Sequence, residues 1–292
     1  METRQLEAFV TVIDTGSFTR AAARLDLSQP TVTTRVKALE QGLDTLLVDR
    51  LPSGIRPTAA GAEFLPYARE IIALTARARS AVAADGQPHG RIDIGTVAAL
   101  TTYRLLPVVE YFYLRYPRVQ LSMHPPACGE AITHVKDGRL DCAFLVDTVM
   151  DYPDLATKVL CREPLALVAG PDHALLDQTG VTTEQLLATA LIRADTSGEY
   201  HLRFDSTLGQ QPRTFELDSI DAAKRSVANG MGVALLPAIA VAQELRDGKL
   251  GLVDWTPPFE TYTQIVWRRD SVNAALDALV DAVVEVVGEQ TC

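Results

Sequence analysis

SFTRAAARLDLSQPTVTTRVKALE, residues 17–40, holds two short helical patterns with almost no loop between them. Ser17 is an N-cap for the first, which spans Phe18 to Leu25. Its Ala21, Ala22 and Ala23 let another helix cross close to the backbone. Asp26 and Leu27 make the turn. Ser28 caps the second helix, and Pro30 falls in its first turn, where the missing N–H costs nothing. Val32, Val36 and Leu39 form a narrow inward stripe, which leaves Gln29, Thr31, Thr33, Thr34, Arg35 and Lys37 facing outward. A turn this short makes the two helices cross steeply, the geometry of a helix-turn-helix.

That geometry projects the start of the second helix away from its domain, at a width that enters the major groove of a duplex. Gln29 can pair with an adenine edge through two hydrogen bonds, while Pro30 and the threonine methyls of Thr31, Thr33 and Thr34 suit thymine methyls. Arg35 and Lys37 lie further along the helix and suit phosphates. Ser28 stands at the same tip. The competing reading of these residues is a plain helical hairpin with a solvated face.

Working outward, Leu6, Phe9, Val10 and Ile13 trace one apolar face of a preceding helix, which Gly16 stops. Downstream, RLPSGIRPTAAG (residues 50–61) has a Pro-Ser-Gly turn between two arginines and reads as a small wing, with Arg50 and Arg56 against the DNA backbone or minor groove. Residues 58–84 read as one long helix with Phe64, Leu65, Ala68, Ile71, Ile72, Thr75 and Val82 on one side. Pro66 predicts a kink or a late start there. The apolar side is expected to pair with a second copy, as in a dimerising coiled coil. DGQPHG (residues 85–90) is a hinge.

The rest of the chain alternates strand and helix patterns: RIDIGTV, then a helix through YRLLPVVEYFYLRYP, then VQLSM, a helix over 130–136, and DCAFLV. LALVA, ALIRA, RTFEL, VALL, KLGLV and TQIVW are further strands, and VNAALDALVDAVVEVVG is an amphipathic helix. This alternation predicts α/β layers with largely parallel sheets, and the length predicts two lobes with a cleft.

Composition narrows the function classes. A net charge of -10 in 292 residues excludes an indiscriminate nucleic-acid binder, whose affinity rests on an excess of Lys and Arg. Any DNA surface here must be local and specific. Cys128, Cys142, Cys161 and Cys292 are widely spaced, with no C-x-x-C, which fits reduced thiols in a cytoplasm. No secretion signal and no apolar run of membrane-spanning length is visible. His124, Cys128 and His134 match no zinc spacing, and no metal or other cofactor is expected. The sequence lacks a phosphate-binding Walker loop, G-x-G-x-x-G, G-x-S-x-G and H-E-x-x-H, so no enzyme is expected. NGMGV (residues 229–233) reads as a helix C-cap ahead of a strand.

These motifs together resemble the LysR-type transcriptional regulators over nearly the whole chain. The N-terminal helices and wing match that family's winged helix-turn-helix in order and spacing. GRIDIGT from Gly90, LLP from Leu105, FYLRYPRVQL from Phe112, VKDGRLDCAF from Val135, LALVAGPDHAL from Leu165 and VANGMGVALLP from Val227 extend the likeness. The sequence departs from the family at Asp44, where glycine is usual, at LLVD before Arg50, where a Leu-Phe pair is usual, and at Thr34, a position often basic.

The resemblance implies an all-α winged helix-turn-helix domain over 1–58, a linker and dimerisation helix over 59–84, a hinge over 85–90 and an effector-binding domain over 91–292. That last domain has two Rossmann-like lobes, as in periplasmic binding proteins: lobe 1 from about 91–161 plus 268–292, lobe 2 from about 162–267. The crossings between them fall near Cys161–Arg162 and Trp267–Arg268. It implies a dimer or dimer of dimers on promoter DNA, RNA polymerase as a further partner, no membrane, and a small-molecule effector in the cleft.

Ligands of such folds sit beyond the carboxyl ends of strands, where helix N-termini attract anions. Thr96, Ala98, Ala99, Leu100, Thr101 and Thr102 after the first strand, Cys128 and Gly129 before a helix, and Thr196, Ser197 and Gly198 after LIRAD are the positions carried over from the family, and a small carboxylate is the expected effector. Cys128 at a helix start is a weaker candidate for redox sensing. The alternative function is a stand-alone small-molecule binding protein of periplasmic-binding-protein fold.

Overall fold

The computed structural model describes residues 1–51, 54–81, 88–125, 129–194, 200–210, 212–217, 219–271 and 273–289, with 76, 77, 79–81, 288 and 289 as backbone only. The chain divides into two compact units, residues 1–87 with 137–139 and residues 88–136 with 140–292.

In the first unit, α1 (Thr3–Thr15) opens on a capping box between Glu2 and Gln5 and closes on Gly16 at φ 60°, a left-handed position that favours glycine. The Ser17 side chain caps α2 (Phe18–Arg24), and the Ser28 side chain caps α3 (Gln29–Leu43), accepting from the Thr31 backbone N–H. A hairpin of β1 (Val48–Leu51) and β2 (Gly54–Pro57) follows, with Asp49 opposite Arg56 and Arg50 opposite Ile55. Its tip, Pro52 and Ser53, lies outside the described residues.

The last element of the unit is α4 (Ala59–Ala81), which runs continuously through Pro66. Part of its apolar side packs within the chain. Leu65 and Ala68 are buried, and Phe64, Ile71 and Ile72 pack with them against Phe9, Val36 and Leu39 in the unit's own core. The first half of this helix therefore finds a partner in α1 of the same chain, joined by an ion pair between the buried Arg69 and Asp14. Leu74 remains exposed. Of the expected hinge, Asp85, Gly86 and Gln87 lie outside the described residues.

The second unit contains β3 (Gly90–Gly95), α5 (Ala98–Tyr103), α6 (Leu106–Arg115), β4 (Val119–His124), α7 (Glu130–Lys136), β5 (Cys142–Asp147), β6 (Leu155–Arg162) and β7 (Leu165–Ala169). It continues with α8 (Thr183–Leu187), β8 (Leu191–Ala194), α9 (Tyr200–Leu208), β9 (Thr214–Leu217), α10 (Ile220–Ala228), β10 (Val233–Pro237), α11 (Ala238–Arg246), β11 (Gly251–Leu252), β12 (Tyr262–Arg268) and α12 (Ala274–Glu289). Two five-stranded sheets result, in the orders β4-β3-β5-β12-β6 and β11-β7-β10-β8-β9.

The sheets are mixed rather than largely parallel. In one, β3 pairs parallel with β4 and β5 while β12 pairs antiparallel with β5 and β6; in the other, β8 pairs parallel with β9 and β10 while β7 pairs antiparallel with β10 and β11. The reversals come from the crossings: β12 returns from the second lobe and so enters the first sheet backwards. The first crossing is at Glu163–Pro164, between β6 and β7. The second precedes Tyr262, not Trp267–Arg268 as expected, because the whole of β12 pairs in the first sheet, with Trp267 opposite Cys142. α12 packs on α6, β3 and β6 of that lobe through Leu276, Leu279 and Val283. β6 is the strand that the apolar pattern hid: at the sheet edge, with Lys158 and Val159 exposed, it shows no clean alternation.

Candidate functional site

The first candidate surface is the start of α3. Val32, Val36 and Leu39 are buried against α1 and α2, and this fixes the helix by its inner stripe alone. Ser28, Gln29, Pro30, Thr34 and Lys37 are exposed, and Thr31, Thr33 and Arg35 are half-buried. The polar groups order one another: Ser28 Oγ meets Thr31 Oγ1 at 2.7 Å, and Gln29 Nε2 donates to Thr33 Oγ1 at 2.9 Å. The eight residues lie at the turn before α3 and around the sides of the helix away from its buried stripe.

The wing arginines differ from each other. Arg56 is exposed on β2. The Arg50 guanidinium lies 4.5 Å from the centre of the Phe18 ring, a cation–π contact that ties β1 to α2 as well as offering charge at the surface. Sequence reasoning missed the residues that hold the wing in place. Glu40 Oε1 accepts from the backbone N–H groups of Leu47 and Val48, at 2.9 and 3.2 Å, fixing the exit from α3. Thr58 Oγ1 donates to the Leu46 carbonyl at 2.7 Å. Gly61 lets the first turn of α4 approach so closely that a Cβ there would sit 2.0 Å from the Leu47 oxygen. Asp44 is the left-handed C-cap of α3, at φ 48°, which is the conformational reason that glycine is the ordinary residue at this point.

The second candidate site lies between the lobes of the second unit. A 500 Å³ cavity is lined by Asp147 at the carboxyl end of β5, by Leu202, Arg203, Ser206 and Thr207 on α9, and by Pro258 and Phe259 on the second crossing. Asp147 Oδ1 accepts from Arg203 Nε, an ion pair that spans the two lobes. It also accepts from the Thr148 backbone N–H at 2.7 Å. Gln264 on β12 donates to the carbonyl oxygens of Asp147 and Thr148, at 3.1 and 2.9 Å. A second bond between lobes joins Lys224 Nζ on α10 to the Tyr103 hydroxyl on α5, at 3.0 Å. Lys224 also pairs with Glu244 at 2.7 Å and with Asp221 at 3.2 Å, partners that push its ammonium above the ordinary lysine range against the opposing effect of burial.

The crossings carry a buried network of their own. Glu163 is 1% exposed and accepts two-pronged bonds from Arg104, with Nη2 2.9 Å from Oε2 and 3.1 Å from Oε1. Thr263 Oγ1 adds a bond of 2.8 Å to Oε2. The Glu163 backbone bonds Thr261 in both directions, joining the two crossing segments. None of these residues was visible as a site in the sequence, because Arg104 and Glu163 are 59 residues apart.

The effector positions expected from the family resemblance fall in several environments. Ala99 and Leu100 are core residues of the lobe, since helical spacing in α5 turns both inward. Thr96 is buried directly after β3, with its N–H on the His124 carbonyl. Thr101 is half-buried and donates its hydroxyl to the Val97 carbonyl. Ala98, Thr102 and Gly129 are exposed. Cys128, Thr196, Ser197 and Gly198 lie outside the described residues. Among the described residues, none of the expected positions lines the 500 Å³ cavity. Of the remaining cysteines, Cys142 and Cys161 are buried, and burial raises the Cys142 thiol well above its ordinary pKa, which marks it as a core residue. His124 is bonded to Asp93 and Ser122, and His134 faces Glu130 one helical turn away.

A winged helix-turn-helix followed by a two-lobed α/β unit with a polar cleft defines a class: DNA-binding regulators that carry their own ligand-binding domain. Comparison with known proteins makes the assignment particular. Residues 3–62 match the family described as "Bacterial regulatory helix-turn-helix protein, lysR family", and residues 85–288 match "LysR substrate binding domain". The chain is 31% identical over 286 residues to the uncharacterized HTH-type transcriptional regulator YwqM of Bacillus subtilis, covering 96% of this chain and 98% of that protein. A full-length OxyR variant from Pseudomonas aeruginosa superposes with a TM-score of 0.74 at 22% identity, covering 98% of this chain and 94% of that one. ArgP from Mycobacterium tuberculosis superposes with a TM-score of 0.70 at 20% identity, covering 97% and 96%. The chain belongs to the LysR family of DNA-binding transcriptional regulators, with an effector-binding domain.

Proposed function

We propose that the protein recognises a promoter operator through the start of α3 and that a small carboxylate bound between its lobes modulates this recognition. The observation that carries the first half is the polar tip of α3. Eight residues from Ser28 to Lys37 stand at the surface of a helix held only by Val32, Val36 and Leu39. Gln29, Pro30, Thr31, Thr33 and Thr34 meet base edges, Ser28, Arg35 and Lys37 meet phosphates beside them, and Arg50 and Arg56 of the wing meet the flanking backbone. For the second half, Arg203 supplies a cation and Ser206 and Thr207 supply hydroxyls in a cavity sized for a metabolite.

On this reading the protein works in the cytoplasm, as a dimer or dimer of dimers, with RNA polymerase as a further partner, and it does no catalysis. Self-association is supported by apolar surface: Tyr67 and Leu74 on α4, and Leu106, Tyr113 and Leu114 on α6 beside the edge strand β4, are all exposed. Among the described residues no helix is long and apolar enough to cross a membrane.

Fluorescence anisotropy on promoter fragments flanking the protein's own gene tests the reading. Nanomolar, sequence-dependent binding that weakens steeply with salt is the expected result. Equal affinity for promoter and scrambled duplexes at every salt concentration would remove the operator from the account.

A further inference from the structure

We propose that the ligand of the 500 Å³ cavity is a zwitterion, an α-amino acid or close relative, and not a simple carboxylate. This deepens the effector reading above and rests on it. The cavity presents one full charge of each sign, side by side: Asp147, 6% exposed, and Arg203. Among the described residues, the Asp147 carboxylate accepts at Oδ1, from Arg203 Nε and from the Thr148 N–H. Its Oδ2 is left to receive a cation.

Gln264 anchors the backbone that carries Asp147. The two carbonyls bound by Gln264 Nε2 fix that amide, because the flipped amide would set oxygen against oxygen. At Asp147 the cavity therefore presents a carboxylate to which an ammonium group can donate. A lone carboxylate drawn to Arg203 would come within ångströms of the Asp147 charge, with repulsion and no compensating cation. A zwitterion divides itself across the pair, its carboxylate on Arg203 and its ammonium on Asp147, and leaves the site neutral. Leu202 and Phe259 offer apolar contact to the rest of the molecule, and Ser206 and Thr207 offer hydroxyls.

The test titrates the full-length protein by calorimetry with the standard L-amino acids, each matched to its decarboxylated amine and to its deaminated acid. At least one amino acid is expected to bind, with its amine and its acid both weaker on the order of 30-fold or more. Asp147→Asn is expected to weaken that amino acid by a similar factor and to improve the matched acid, a reversal that a merely structural role would not produce; circular dichroism confirms that the variant is folded. A matched acid that binds as tightly as its amino acid overturns the proposal, and so does silence across the panel. If the simple acid also alters DNA affinity, the effector reading stands without the zwitterion. If an amino acid binds as expected to a protein indifferent to all duplexes, the ligand class stands and the regulator reading falls.

Discussion

The helix-turn-helix and the lobed unit of this chain place their polar side chains differently. In the first, the core of Phe9, Val12, Val32, Val36 and Leu39 is apolar, and the polar groups of α3 are displayed outside it. In the second, charged groups are matched in pairs: buried Arg104 with buried Glu163 at the crossings, and half-buried Arg203 with buried Asp147 in the cleft. A duplex is a large external partner, and a surface that reads it must leave its donors and acceptors open. A metabolite is small, and a cavity that selects it must hold its charges in fixed, desolvated positions.

Breaking each core measures that contrast. Arg104→Ala leaves the buried Glu163 carboxylate with the Thr263 hydroxyl as its side-chain partner among the described residues, and is expected to cost about 3–5 kcal/mol of stability in urea denaturation. Phe9→Ala opens a cavity in the apolar core of the first unit and is expected to cost about 3–5 kcal/mol, with DNA affinity falling as the domain unfolds. Replacing both Arg104 and Glu163 by Met should recover much of the first loss. Failure to recover would mean that the pair positions the crossings as well as stabilising them.

A smaller effect is expected from pH. Burial raises Asp141, at the entrance to β5, from 3.8 to about 6. Its folded-state pKa is the higher one, so its contribution to stability is complete below 3.8 and is lost as pH rises through about 6. Thermal melts across that window should show stability falling with pH, and Asp141→Asn should flatten the slope. The smallest change expected is a gain: Asp44→Gly relieves a left-handed residue at the end of α3 and should add about 0.5–1 kcal/mol.

The same contrast explains what could be read from the sequence. The helix-turn-helix was legible because its determinants are local: the Ser17 and Ser28 caps, the Gly16 stop and the stripe of Val32, Val36 and Leu39 all fall within a few turns of chain. Asp147 and Arg203 were not legible, because residues 56 positions apart reveal nothing about each other until the lobes are built. Family resemblance pointed to the stretch after β3, where Ala99 and Leu100 turn into the core while Ala98 and Thr102 stay exposed. The self-packing of α4 was hidden for a similar reason, since its apolar stripe is equally consistent with a partner in α1 or in another copy. The second crossing was misplaced because TQIVW reads as a strand in either lobe, and only its register against Cys142 to Asp147 assigns it.

Selection of binding sites from a random duplex library, by the wild-type protein and by Gln29→Ala in parallel, tests the exposed tip of α3 most directly. The wild type should yield a consensus with an A·T pair fixed in each half-site, and the variant should lose discrimination at that pair by about 1–3 kcal/mol while keeping the remaining positions. An identical consensus from both proteins would contradict base reading by this helix.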